Sequence, residues 1–118
     1  MYIYLFIDST FRTCPKGYLQ ILNIIENIKA NNLNIPILNV IMKSKKENSY
    51  YNIFETFKIT LNEIKIKIDF SEIYIIADFE IGLRKAINNS FPKATLLGCY
   101  FHFLKNIFLK FKKLGIIK

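Results

Sequence analysis

The hydrophobic pattern divides the chain into strand-like and helical segments. Four short apolar runs rich in β-branched residues predict buried strands, at residues 2–8, 35–42, 73–77 and 94–98. Residues 18–28 fit either a further strand or a short helix. Apolar residues spaced three and four apart predict three amphipathic helices, at residues 51–68, 79–89 and 100–114. Tyr51 and Phe79 are expected on the apolar faces of the first two helices.

The order of these segments predicts the fold class. Strand-like segments come first and β/α units follow, which is typical of an α/β domain whose mixed sheet of about five strands is flanked by helices. A right-handed crossover would return the strand at 73–77 to the side of the strand at 2–8. With 118 residues, we expect one domain spanning 1–118. No apolar run approaches the ~20 residues that a bilayer span needs, so no membrane partner is expected.

Two aspartates close two of the predicted strands. Asp8 follows the apolar run at 2–7, and Asp78 follows the run at 73–77. If these strands are neighbours in a parallel sheet, the two Cα atoms lie about 5 Å apart. Carboxylates this close repel each other unless a cation neutralises them, so the pattern predicts a divalent metal site. The alternative is that each aspartate only ends a strand and caps the segment that follows.

The positive charge is concentrated at the end of the chain. Residues 1–80 carry nine Lys or Arg and nine Asp or Glu, whereas residues 81–118 carry eight Lys or Arg and no acid. The whole net charge of +8 therefore lies in the last third and favours a polyanion such as nucleic acid. The candidate contacts are Lys105, Lys112 and Lys113 in that third, with Arg12 and Lys16 in the first loop. The alternatives are a coding bias that adds lysines without a ligand and ordinary solvated loop charges.

Three sequence blocks resemble one family. Residues 8–18 resemble the opening D-G/S-T-F-x-x-x-P-x-G-F/Y of Mutator-like (MULE) transposase catalytic domains. Residues 77–80, with Ala86 and the pair Phe91-Pro92, resemble the T-D-F-E…A-I…F-P block of that family. Residues 98–103 resemble its G-C-x-F-H block. The three blocks stand in the family's order and span essentially the whole chain.

The resemblance implies an RNase H-like fold with a DDE/D acidic triad. The first two acids of the triad fall on Asp8 and Asp78, which would bind two Mg²⁺ or Mn²⁺ ions for phosphodiester hydrolysis or strand transfer on DNA. The implied partner is DNA, with no small-molecule substrate, and the implied location is the nucleus. An intracellular setting also fits the presence of only two cysteines, which do not form a disulfide framework.

The chain departs from the family pattern at the third acid. The family places a glutamate on a helix beyond the C-x-x-H block, but no Asp or Glu follows Glu80 here. Glu80 stands at the predicted start of a helix, where a carboxylate favours the macrodipole, and it is a poor substitute for the third acid. We therefore expect a domain that is incomplete at the C-terminus and impaired in catalysis.

Cys99 and His102 form a further candidate pair. Their spacing places them on one face of a helix, where both would reach one ion, although a structural zinc needs four ligands. The alternative is a packed cysteine and a histidine at a helix start. The resemblance suggests a role for the pair near the catalytic face without defining it.

Three functional hypotheses follow from the sequence. The first is a fragment of a DNA transposase catalytic domain that uses Asp8 and Asp78. The second is a catalytically inactive domain that binds nucleic acid or another partner through residues 81–118. The third is an RNase H-like nuclease acting on RNA.

Overall fold

The structure, a computed structural model, describes residues 3–11, 13–28, 33–98 and 100–116; side chains are described outside 100–106. The elements, in chain order, are β1 (Ile3–Thr10), β2 (Gln20–Ile28), β3 (Leu33–Met42), α1 (Glu47–Glu63), β4 (Ile73–Ala77), α2 (Ile81–Ser90), β5 (Thr95–Gly98) and α3 (Tyr100–Lys113). A single 3₁₀ turn, Phe70–Glu72, leads into β4. Residues 18–28, which were open to two interpretations, are therefore mainly strand.

All five strands form one mixed sheet in the order β3-β2-β1-β4-β5. β1 and β3 each run antiparallel to β2, whereas β4 lies parallel to β1 and β5 parallel to β4. The prediction of an α/β domain with a five-stranded mixed sheet flanked by helices, as expected for an RNase H-like domain, is confirmed. The predicted return of the 73–77 strand to the side of the first strand is confirmed as well.

The core lies on one face of the sheet, beneath α1 and α2. Alternation along β1 and β4 buries every second side chain, because successive residues of a strand point to opposite faces. The strand residues buried in this way are Leu5, Ile7, Ile73, Ile75 and Ala77. The helices close the core with the side chains of Tyr50, Phe54, Phe57, Leu83, Ala86 and Ile87. Phe91, from the predicted F-P block, is also buried and packs its ring against those of Phe54 and Phe70.

Three sequence predictions about the helices are wrong in detail. The first helix, expected at residues 51–68, lies at Glu47–Glu63. The buried stripe of α1 begins at Tyr50, while Tyr51 is exposed, because a step of one residue turns a side chain by about 100° around the helix. Phe79 lies outside the core because α2 begins only at Ile81, so residues 78–80 form a link rather than a helical turn. No helix in the described part of the chain is long and apolar enough to cross a membrane.

Candidate functional site

The C-terminal ends of four strands meet at one edge of the sheet. β1 and β3 run in the same direction because both are antiparallel to β2, which lies between them. β4 and β5 also run in this direction, since β4 is parallel to β1 and β5 is parallel to β4. Asp8 lies near the end of β1, and Asp78 is the first residue beyond β4. Loops that follow parallel strands at this edge are where open α/β sheets place their ligands.

The strand register brings the two aspartates to the same level. Ile7 of β1 is the partner of Ala77 of β4, so Asp8 and Asp78 are the next residues on two adjacent strands. Neighbouring strands are about 4.8 Å apart, which places the two backbones within reach of one shared cation. This is the juxtaposition that the sequence led us to expect.

The pleat of β1 and β4 determines on which face of the sheet their side chains lie. Tyr4 and Tyr74 stack with their ring centroids 5.2 Å apart, so these positions share a face of the sheet. Asp8 is four residues beyond Tyr4, and Asp78 is four residues beyond Tyr74. Alternation along β1 therefore puts Asp8 on the face of the tyrosine pair, opposite the core, while Asp78 lies one residue beyond the end of β4. Both aspartates are only partly exposed.

Each aspartate is oriented by the backbone that follows it. Asp8 Oδ1 accepts a hydrogen bond from the Ser9 N–H at 2.8 Å, and Asp78 Oδ1 accepts one from the Phe79 N–H at 2.9 Å. Such local bonds are typical of aspartates at the ends of regular elements. They orient Asp8 two residues before the end of β1 and Asp78 at the first position beyond β4.

A buried polar network fixes the link that carries Asp78. Glu80 occupies the N-cap position of α2 but makes no side-chain cap hydrogen bond. Its carboxylate instead accepts from the Tyr50 hydroxyl, at 2.9 and 3.0 Å to the two oxygens. The Gln20 Nε2 donates to the same hydroxyl at 2.8 Å, and Gln20 and Tyr50 are both fully buried. The network thus joins β2, α1 and the start of α2 directly behind Asp78.

Burial keeps the tyrosine of this network protonated. Desolvation is the main reason that the pKa of Tyr50 is raised to about 12, and the carboxylate of Glu80 raises it further. The Gln20 hydrogen bond opposes this shift, and the charge of Asp78 adds a smaller increase. At neutral pH the phenol therefore donates its proton to Glu80.

A second contact holds the same link from the other side. A side chain at Gly98, the last residue of β5, would collide with the Phe79 ring, so the ring rests on the backbone of β5. The guanidinium carbon of Arg84 lies 5.1 Å from the centre of that ring, on α2. The absence of a side chain at Gly98 thus allows the residue after Asp78 to pack across β4 and onto β5.

Sequence reasoning missed Gln20, Tyr50, Arg84 and the pairing of Phe79 with Gly98. One signal for Tyr50 was present, because a tyrosine on the core stripe of a helix needs a partner for its hydroxyl. The apolar spacing favours the neighbouring Tyr51 for this stripe, which hides the signal at Tyr50. The other contacts join residues that are distant in the chain, and no local pattern reveals them.

The remaining predicted site residues are distributed differently. Lys16 is exposed in the β1–β2 turn, and Lys112 and Lys113 are exposed at the end of α3. His102 and Lys105 lie in α3, but their side chains are outside the described part. Arg12 and Cys99 lie outside the described residues altogether, so the proposed Cys99–His102 pair is not tested.

The donor set at the strand ends suits a hard divalent cation. Mg²⁺ is commonly bound by one or two carboxylates while waters and substrate phosphates complete its shell. Asp8 and Asp78 provide two carboxylates of this kind on adjacent strands. Within the described residues, no group of three or more His, Cys, Asp or Glu is placed to hold a metal ion. The described residues thus place two carboxylates near the ends of adjacent strands and contain no closed metal cage.

Comparison with known proteins gives a family. A family model described as the MULE transposase domain matches residues 4–106, which include both aspartates, the five strands except Ile3, and half of α3. No curated protein matches the chain. Since the family model covers most of the sequence, the chain belongs to the MULE transposase domain family.

Proposed function

We propose that this domain carries the transposase chemistry of its family in impaired form: metal-dependent phosphodiester hydrolysis or strand transfer on DNA, with Asp8 and Asp78 as ligands of Mg²⁺ or Mn²⁺. Family membership implies a transposase-family function and DNA as the partner. The observation that carries the proposal is the register of β1 and β4, which makes Asp8 and Asp78 consecutive neighbours across two parallel strands. Two hard oxygen donors at this edge match the chemistry of such ions.

The residues around the aspartates have supporting roles in this proposal. A bound divalent cation supplies charge neutralisation and activation of the attacking oxygen. Asp8 and Asp78 hold the cation, and the N–H groups of Ser9 and Phe79 orient their carboxylates. Tyr50, through Glu80, prevents the link after β4 from shifting. Removing a group that orients a metal ligand in this way typically lowers metal affinity or activity by about 10- to 100-fold.

Plasmid nicking tests the proposal. The full chain should convert supercoiled plasmid DNA to the relaxed form in Mg²⁺ or Mn²⁺ but not in excess chelator. Asp8→Asn and Asp78→Asn should each lower the rate at least about a hundredfold, because each removes a charged ligand of the cation. Glu63→Gln, which removes one carboxylate at the exposed end of α1, is the matched control and should keep the wild-type rate. Nicking that survives both aspartate substitutions would overturn the proposed site.

A second candidate function is DNA or partner binding without catalysis. It is favoured by the exposed lysines at the end of α3, Lys110, Lys112 and Lys113. This alternative predicts binding that weakens steeply with salt and does not change when both aspartates are replaced. Cleavage of an RNA–DNA hybrid in preference to duplex DNA would instead indicate an RNase H-like nuclease.

A further inference from the structure

Two loops meet beside the aspartates at the C-terminal edge of the sheet. The β1–β2 turn covers residues 11–19, and the β3–α1 loop covers residues 43–46. The Leu19 N–H donates to the Met42 carbonyl at 2.8 Å, which fastens the end of the turn to the start of the loop. Lys45 Nζ lies 4.3 Å from the centre of the Phe11 ring, and Lys43 Nζ lies 5.1 Å from that of Tyr18.

These contacts create a surface of alternating lysines and aromatic rings. We call it the lysine–aromatic surface and define it as Phe11, Lys16, Tyr18, Lys43, Lys45 and Lys46. All six are exposed, and the two rings retain 52% and 44% of their accessible area. Residues 9–25 and 34–46 contain no acid, and Glu47, the first residue of α1, follows Lys46 directly. Lys16, Lys43 and Lys45 therefore have no acid beside them in the sequence.

The surface lies next to the segments that carry both aspartates. The turn begins three residues after Asp8. The loop packs against the first turn of α2, where a side chain at Gly82 would come within 3.3 Å of the Lys45 carbonyl oxygen. α2 itself starts three residues after Asp78. The lysine–aromatic surface is therefore continuous with the edge at which the proposed chemistry takes place.

We propose that the lysine–aromatic surface binds unpaired, single-stranded DNA next to the phosphodiester that the aspartates act on. The lysines would contact phosphates, and the Phe11 and Tyr18 rings would stack on bases. Exposed rings beside a basic strip are the usual means of holding a single strand, because every base offers a π-face. In a duplex the faces of the bases are occupied by their neighbours, so the rings would contribute little there.

This inference rests on the proposed function for its DNA partner, but its test does not depend on catalysis. Fluorescence anisotropy with a labelled oligo(dT) of about 20 nucleotides and a duplex of equal length is measured in chelator, so that no metal takes part. The double substitution Phe11→Leu with Tyr18→Leu keeps apolar bulk and removes the stacking faces. It should weaken single-strand binding about tenfold or more and duplex binding less than about twofold.

The lysines are tested by the salt dependence of binding. Lys43→Gln with Lys45→Gln should lower the slope of log K against log salt by about 1.4, since each single-strand phosphate contact contributes about 0.7. Lys65→Gln with Lys67→Gln makes the same charge change between α1 and β4, which is the opposite edge of the sheet, and should leave the slope near wild type. Circular dichroism melts confirm that each variant is folded.

Several results would overturn the inference. Equal weakening of single-strand and duplex binding by the ring substitutions would exclude stacking on unpaired bases. Equal effects of the two lysine pairs would exclude a localised surface, and tighter binding of oligo(U) than of oligo(dT) would reassign the strand to RNA. Asp8→Asn and Asp78→Asn should retain single-strand binding, so a failure of the proposed chemistry is distinguishable from a failure of this inference.

Discussion

The ends of β1 and β4 lie side by side and carry equivalent aspartates, yet the chain continues differently from each. Beyond β4, the link at 78–80 is held by the Tyr50–Glu80 hydrogen bonds on one side and by the packing of Phe79 on Gly98 on the other. Beyond β1, the chain enters an exposed turn, and the described residues of this turn make two cation–π pairs and a few backbone bonds.

The difference suggests a division of tasks between the two strand ends. The proposed metal chemistry needs ligands that stay within a fraction of an ångström of their place, and buried contacts would supply that constancy at Asp78. Contact with a nucleic acid needs exposed charge and adaptable side chains, which the turn after Asp8 supplies. Each of the following predictions concerns a substitution or a change of pH that disrupts one of these two arrangements.

Removing the buried hydroxyl should have the largest effect on stability. Tyr50→Phe leaves the Glu80 carboxylate and the Gln20 amide without their shared partner. We expect the free energy of unfolding to fall by about 2 kcal/mol, since a buried group deprived of its hydrogen bond costs about 1–3 kcal/mol. Urea denaturation measures the change. Tyr51→Phe, at the exposed neighbouring position, is the control and should change stability by less than about 0.5 kcal/mol.

The same hydroxyl should make stability sensitive to high pH. The pKa of Tyr50 in the folded chain is about 12, above the ordinary value of 10.0, so the folded state holds this proton more tightly than the unfolded state. The resulting stabilisation is complete below pH 10 and is lost as the pH rises toward 12. Denaturation curves between pH 9 and 12 should therefore fall more steeply for wild type than for Tyr50→Phe. Parallel curves would show that the phenol is not held in this way.

Adding one methyl group to β5 should disturb the link from its other side. Gly98→Ala brings a side chain into the space of the Phe79 ring, and we expect a loss of about 1.5 kcal/mol because overpacking costs about 1–3 kcal/mol. Phe79→Leu in the same background should recover part of that loss. A double-mutant cycle in urea gives the coupling. Additive effects would mean that the two positions do not share this space.

The smallest effect is expected at the exposed turn. Gly17 has φ +92°, and Tyr18 N–H donates to the Pro15 carbonyl at 3.1 Å, an arrangement typical of a turn with glycine at its third position. Gly17→Ala should lower the free energy of unfolding by about 1 kcal/mol through backbone strain. A steric clash adds nothing, since no atom lies within 4 Å of the added methyl. The substitution should weaken single-strand binding but leave Mn²⁺ affinity unchanged. A matching loss of Mn²⁺ affinity would contradict the division between the two strand ends.

Much of the fold could be predicted because its strands are short, buried and β-branched. The runs ending at Asp8 and Asp78 are recognisable without any partner, and the handedness of a crossover then sets them side by side. Residues 18–28 stayed ambiguous because sheet pairing on both sides, rather than local preference, makes them a strand. The face of α1 was assigned one residue away because Tyr50 and Tyr51 are chemically identical.

The site was predictable only where its residues end strands. The expected proximity of Asp8 and Asp78 in the sheet follows from strand order alone. The Tyr50–Glu80 hydrogen bond joins residues 30 apart in the chain. The packing of Phe79 against Gly98 depends on the position of β5. The lysine–aromatic surface was missed because the charges of residues 1–80 balance in sum, although three of their eight lysines lie together in the β3–α1 loop.

Mn²⁺ binding to the full chain tests the central claim most directly. In isothermal titration calorimetry, wild type and Glu63→Gln should bind Mn²⁺ alike, while Asp8→Asn and Asp78→Asn should each weaken binding at least about tenfold. Both losses are required, because the claim is that the two carboxylates hold one site together. Wild-type protein that binds no Mn²⁺, or aspartate variants that bind as tightly as Glu63→Gln, would contradict it.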